Sequence, residues 1–278
     1  MLITFQINAQ KIDYIPLKAN GNVPNDFLTT SSEDYERLTD RTFDEDDERN
    51  VIKHKEKFLA KSNWKLNRLL RSGQIVFNDS ITNYVRDVAD VVLADFPDIR
   101  DELRFYTAKH ASVNAFSTDA GIIIFNTGLI AQLENEAQLA YVIAHEVVHY
   151  DKKHSIKGYI EEKVFAQELE DVESFAKDKH LYLAKNSRSR EMEFEADKVG
   201  FNKFFSTTDY SRDAVMGVMD VLQYSYLPLN EIEFPPSMLT NNYFSIPDEF
   251  LLEKVAPISV GEDYDEELST HPNVQNRR

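Results

Sequence analysis

From Glu136 to about Lys153 the chain reads EAQLAYVIAHEVVHYDKK, with Leu139, Tyr141, Val142, Ile143, Val147 and Val148 distributed around the whole helical circumference. That is the pattern of a buried helix, and Gly158 is expected to break it. Upstream, the acidic run Asp44–Glu48 opens a helix expected to reach about Arg71, with Gly73 as its stop signal. Val85, Val88, Val92 and Phe96 recur at three- and four-residue steps, so a second helix is expected over about Asp79–Phe96, ended by Pro97. Three short β-prone runs follow at Leu103–Ala108, Ser112–Ser117 and Ile122–Asn126, the last two joined by a hairpin-like Thr118-Asp119-Ala120-Gly121. Further on, the charge pattern predicts a helix over about Tyr159–Lys185, a turn at Asn186–Ser189, a helix through Phe201 and another over about Ser211–Ser225. The pattern therefore predicts an α+β chain, predominantly helical, with a few short strands and a hairpin. Residues 1–43, with Pro16, Gly21, Pro24 and a Thr/Ser run, are expected to form an extended leader. Residues 44–278 form the domain, and 226–262, Pro-rich and aromatic without period, are expected to be an irregular insertion.

Composition narrows the chemistry. With 42% hydrophobic and 12% aromatic residues in 278, the chain can bury a sizeable core. A formal net charge of -17 argues against a nucleic-acid partner, because phosphates repel such a surface. The absence of Cys excludes thiolate zinc sites, disulfides and a Cys nucleophile, so any transition-metal site must be built from His, Asp and Glu. No run approaches the roughly 18 apolar residues of a membrane span. The opening MLITFQINAQ reads either as the end of an export signal or as a frayed terminus or first strand. An extracytoplasmic, periplasmic location is accordingly expected, with a cytoplasmic one as the alternative. The cluster Lys53–Lys57 reads as a solvated helix face.

The candidate chemistry centres on His145-Glu146-Val147-Val148-His149. Two residues four apart on a helix lie one turn apart on the same face, so both imidazoles can reach one cation. Glu146 points about 100° around the axis, a poor position for a ligand of that set and a good one for taking a proton from water. On a buried helix each unpaired polar group costs roughly 1–3 kcal/mol, and a shared cation satisfies all three side chains at once. The alternative is a set of core histidines bonded to backbone or carboxylates. A catalytic zinc keeps three protein ligands and one open position. Glu193 and Asp197 are four apart, on one side of a predicted helix whose small Ala196 allows close approach. Glu193 is expected on a single Zn2+, with Asp197 behind it fixing an imidazole through its other nitrogen. Glu191 and Glu195, about 200° away, are expected in solvent. In isolation the string would pass for an exposed acidic helix. His54, His110, His154 and His180 are taken as structural or surface residues.

Three separated stretches occur in the order Val113–His154 (VNAFSTDAGIIIFNTGLIAQLENEAQLAYVIAHEVVHYDKKH), Ser189–Gly200 (SREMEFEADKVG), and Ser269-Thr270-His271-Pro272 with Arg277. Together they resemble the HtpX/BepA and CAAX-prenyl-protease family of HExxH zinc metallopeptidases. The resemblance covers about Asp44 to Arg278 and implies a gluzincin-like, mostly helical domain with a small sheet beside the active-site helix. It implies that the first Glu of ExxxD, here Glu193, is a metal ligand. It implies too that the strand carrying Asn114 and Ala115 lines the cleft and pairs with substrate backbone. By the same resemblance His271 folds back towards the metal, as an oxyanion donor or as a regulatory cap; a helix-capping His beside Pro272 is the plainer alternative. The interval 150–188 is charged, which resembles the soluble branch of the family. The implied activity is metalloendopeptidase action on polypeptide substrates, with Glu146 as the general base, in envelope protein quality control. C-terminal or envelope proteins would be the partners.

Two rival readings compete with this one. A carboxylate-bridged di-iron site needs a second ExxH on another helix, and this sequence has none. A latent or non-catalytic chaperone or adaptor could use the same fold with His271 over the open metal position.

Overall fold

A four-stranded mixed sheet and one buried helix set the architecture. The computed structural model describes residues 41–44, 47–77, 79–169, 174–223, 225 and 277. In chain order the elements are α1 (Arg49–Leu70), β1 (Ile75–Val76), α2 (Ser80–Val92), α3 (Pro97–Glu102), β2 (Arg104–Ala108), β3 (Ala115–Ser117), β4 (Ile122–Asn126) and α4 (Thr127–Ile130). There follow α5 (Glu136–Asp151), α6 (His154–Glu168), α7 (Ser174–Val199), a π-helical turn (Gly200–Phe204), a 3₁₀ turn (Phe205–Thr207) and α8 (Ala214–Gln223). The expected α+β class, mostly helical with a small sheet, is what the chain adopts.

The sheet order is β1-β2-β4-β3, with β2 and β4 parallel and the outer pairs antiparallel. β4 is buried along its whole length, so its side chains alternate between two apolar environments rather than between core and water. Ile122 and Ile124 join Tyr106, Leu66, Leu69 and Phe116 on the α1 face. Ile123 and Phe125 join Phe105 and the Val85, Val88 and Val92 stripe of α2 in the main core, which α5 completes. The hairpin between β3 and β4 closes where expected: Gly121 has φ 74, and a Cβ there would lie 2.3 Å from the carbonyl oxygen of Glu102. Only glycine fits.

α5 packs against α2, β3, α7 and α8. Its N-terminus is capped by Asn135, whose side chain accepts from the backbone N–H of Gln138 at 3.0 Å. The end of α7 comes closest at Gly200, where a Cβ would sit 3.1 Å from the backbone of Ala144 and His145. This approach brings the acidic face of α7 onto the histidine face of α5.

Several local expectations are corrected. Pro97 does not end α2, which stops at Val92; it begins α3, where its missing N–H has no helical role. Gly158 does not break the buried helix; the break is at Lys153, in the left-handed region with φ 56, and Gly158 lies inside α6. The charged helix over Tyr159–Lys185 is two helices, and the expected turn at Asn186–Ser189 is continuous helix within α7. Asn186 there is buried, so α7 is packed against the body and not merely solvated. Lys55, expected in solvent, is buried and paired with Asp47 at 2.6 Å and Asp44 at 3.1 Å. β1 was not anticipated, being only two residues long. Most of the expected leader and the whole of 226–262 lie outside the described residues.

Asp79 caps α2 by accepting from the backbone N–H of Thr82 at 2.8 Å. Burial acts to raise its pKa, but the Thr82 hydroxyl and backbone N–H groups outweigh it and leave the group below its ordinary 3.8. A carboxylate with a depressed folded pKa contributes stability fully above its unfolded value and loses it as pH falls through the folded one. Asp79→Ala should therefore cost about 1 kcal/mol at pH 7 in urea unfolding. The gap to wild type should narrow as pH falls below about 4; a gap that does not change with pH would contradict the cap.

Candidate metal centre

α5 supplies His145, Glu146 and His149, and α7 supplies Glu193, Glu195 and Asp197. The donor atoms of His145, His149 and Glu193 all lie within 4.8 Å of one another. The two imidazole Nε2 atoms are 3.0 Å apart, and the Glu193 oxygens lie 3.6 Å from each of them. Two donors about 2.0–2.1 Å from a shared tetrahedral zinc stand about 3.3 Å apart. The observed separations bracket that value.

The hydrogen bonds behind the rings determine what the Nε2 atoms can offer. Nδ1 of His145 lies 2.9 Å from Oδ1 of Asp197. Burial acts to raise the Asp197 pKa, but Arg277 and His145 outweigh it and hold the carboxyl at about 2. A carboxylate only accepts, so the Nδ1 of His145 carries the proton. On the other ring, Nδ1 of His149 lies 2.9 Å from Nδ1 of His154, whose Nε2 faces Oε2 of Glu195 at 3.0 Å. Burial, working against Glu195, lowers the His154 pKa from its ordinary value, so this ring is neutral at pH 7. With its proton committed to Glu195, His154 presents a bare Nδ1 that accepts from His149. In these neutral tautomers both Nε2 atoms offer lone pairs, facing each other and a carboxylate.

Lone pairs at that distance require a positive charge between them. Without a cation, a proton must play the part. Burial pulls His145 down, yet its bonds to Asp197 and Glu193 push it up to about 10, whereas burial and the neighbouring His145 push His149 down to about 3. A divalent cation meets the same demand with three ligands at once, and the donor set of two imidazoles and one carboxylate suits zinc.

Arg277 completes the electrostatics. Its Nε and Nη2 donate to the two Asp197 oxygens at 2.7 and 2.8 Å, and Nη2 lies 3.5 Å from Glu193. Tyr141 donates its hydroxyl to Asp197 at 3.1 Å. Glu146 is 7% exposed, and burial lifts its carboxyl to about 7 against the opposing pull of His145, with Glu193 adding to the rise and the Ser117 N–H and Arg277 reducing it. That is the range where a carboxylate can both take and return a proton. A cleft of about 280 Å³ opens in front, between Val113–Ala115 on one side and Val218 and Leu222 of α8 on the other.

The structure thus brings His145, Glu146, His149, Glu193 and Asp197 together, with Asn114 and Ala115 on the cleft wall. His271 lies outside the described residues. Glu191 and Glu195 are both exposed as expected, and Glu195 also meets the Nε2 of His154. The sequence reading missed the roles of His154 and Tyr141, and met Arg277 only as part of the terminal motif. His154 comes five residues after His149, off the helical face, and meets it across the helix break at Lys153, where the backbone is left-handed.

If the ring partners set the tautomers, Asp197→Asn should weaken zinc binding about 10- to 100-fold in chelator competition. His154→Ala should weaken it too, and His154→Gln, which can still accept from His149, should recover part of the loss. Unchanged dissociation constants in all three variants would contradict the tautomer argument.

Comparison with known proteins agrees with this geometry. The chain is 23% identical over 108 residues to the beta-barrel assembly-enhancing protease of Yersinia pestis, covering 39% of this chain and 22% of that protein. It is 27% identical over 88 residues to the protein of that name from Escherichia coli K12, covering 31% and 18%. A protein of Vibrio cholerae serotype O1 described in similar terms is 29% identical over 96 residues, covering 34% and 20%. The chain thus spans about a fifth of the length of these curated relatives. Residues 77–278, which hold every ligand candidate and most of the chain, match peptidase family M48, and the chain belongs to that family.

Proposed function

We propose that the protein is a zinc-dependent endopeptidase that hydrolyses peptide bonds of extended polypeptides. The observation that carries this is the convergence of two imidazole nitrogens and the Glu193 carboxylate beside the buried Glu146. Zinc, when bound by His145, His149 and Glu193, supplies a Lewis acid that acidifies water and polarises the scissile carbonyl. Glu146 takes a proton from the attacking water and returns it to the leaving amine. Asp197, held by Arg277 and Tyr141, keeps His145 in the ligating tautomer, and His154 does the same for His149.

β3 is the proposed substrate strand. Within the described residues it pairs only with β4. Asn114 and Thr118 direct backbone groups to β4. Ala115 and Ser117 therefore turn theirs to the outer edge, where Ser117 N–H meets Glu146. A peptide laid on that edge is held through its own backbone, a mode that places an extended chain over the cleft with little demand on its sequence. His271 is proposed to supply a further donor or a cap at the open metal position. That relatives are described as beta-barrel assembly-enhancing proteases supports a role in envelope protein quality control, in an extracytoplasmic compartment; no described helix is long and apolar enough to cross a membrane.

Zinc-loaded protein should cleave an unfolded polypeptide, and Glu146→Gln should lose at least about 100-fold of that activity while retaining its zinc. Equal cleavage by Glu146→Gln would remove the proposed base. A zinc-bound wild type that cuts nothing would favour the adaptor reading.

A further inference from the structure

A second concavity lies one step along β3 from the cleft, on the opposite side of the sheet edge. Its floor is apolar: Phe58, Leu59, Leu66 and Leu69 of α1 face Phe116 of β3 around a cavity of about 340 Å³. Ser62, Asn63, Lys65, Asp119 and Ser155 add polar groups to the lining. Phe58, Leu66 and Phe116 are only half-buried, so their apolar surface is open to an occupant. α1 lies ahead of the residues that match the family.

The cleft and the groove are continuous along one strand. Val113–Ala115 line the first and Phe116–Ala120 the second, and Ser117, in the groove wall, donates its N–H to Glu146 in the cleft. Successive side chains of a strand point to opposite faces. Ala115 packs towards the α5 core, and Phe116 packs towards the α1 cluster. A peptide on the outer edge of β3 must alternate in the same way, so the neighbours of a residue that meets the cleft are directed to the α1 side.

Resting on the peptidase reading, we propose that this groove is a specificity subsite for a large aliphatic or aromatic side chain of the substrate. The occupied position lies on the N-terminal side of the cut bond, within about four residues at the strand rise of roughly 3.3 Å. The side follows from direction. β3 runs from the cleft towards the groove, and a peptide paired antiparallel to it, the better-bonded arrangement, runs from groove to cleft. Its residues ahead of the scissile bond therefore pass Phe116–Ala120.

The test uses the zinc-loaded full chain and internally quenched peptides in which Leu, Phe, Gly or Asp is moved through four positions on each side of one cleavage site. Wild type should prefer Leu or Phe over Gly by about 10- to 100-fold in kcat/KM at an N-terminal-side position. Ser62→Phe, which fills the groove, and Leu66→Glu, which charges it, should abolish that preference and still cut the Gly peptide at the wild-type rate. Ser62→Phe decides the matter even where Leu66→Glu does not fold. A preference that survives the filled groove, or one found only on the C-terminal side, overturns the proposal. So does faster cleavage of every peptide by the filled variant, which would mean the groove holds part of this chain. A wild type that cuts all peptides alike sinks the subsite alone; one that cuts none sinks the peptidase reading with it.

Discussion

Two imidazole nitrogens 3.0 Å apart, each on a ring held from behind by a hydrogen bond at its Nδ1, are the constraint around which this protein is built. Such a pair repels itself inside a core unless positive charge lies between the rings. Everything nearby supports or answers that demand. Asp197 and Glu195 choose the tautomers, Glu193 adds the third donor, and Arg277 offsets the negative charge that two buried carboxylates bring. The partners behind the rings orient both imidazoles towards the place where positive charge is needed.

The fold explains how such a cluster is held. A helix that is apolar around its circumference can only be buried, and burial of α5 is what makes the pairing of His145, Glu146 and His149 obligatory. The sheet edge fixes one side of α5 through β3, and the glycine at position 200 lets the other side accept α7 at near-backbone contact. The same burial that calls for positive charge between the rings also raises Glu146 to about 7, so one packing decision shapes both the donor set and the neighbouring carboxyl.

The features legible in the sequence were those set by local periodicity. The His145/His149 step, the Glu193/Asp197 step and the all-round apolar character of α5 are consequences of helix geometry alone, and the structure keeps each of them. The β3–β4 hairpin was legible for a similar reason, since Gly121 marks its turn. What escaped depends on distant packing. Gly158 looked like a breaker, but a glycine is tolerated within a helix, and Met192 of α7 packs 3.6 Å from where its Cβ would be. The actual break at Lys153 carries no glycine and is made by a left-handed residue. Because that break was invisible, so was the contact of His154 with His149. Asn186–Ser189 looked like a turn by composition, whereas burial of Asn186 within α7 outweighs its weak helix propensity.

The central claim concerns what sits between two nitrogens and a carboxylate, and zinc K-edge X-ray absorption on the purified protein reads it directly. The account predicts one zinc per chain, with two imidazole nitrogens and a carboxylate oxygen at about 2.0–2.2 Å and a fourth light ligand. Protein that holds no zinc after exposure to it, or whose zinc is bound with a single imidazole or none, would contradict the account.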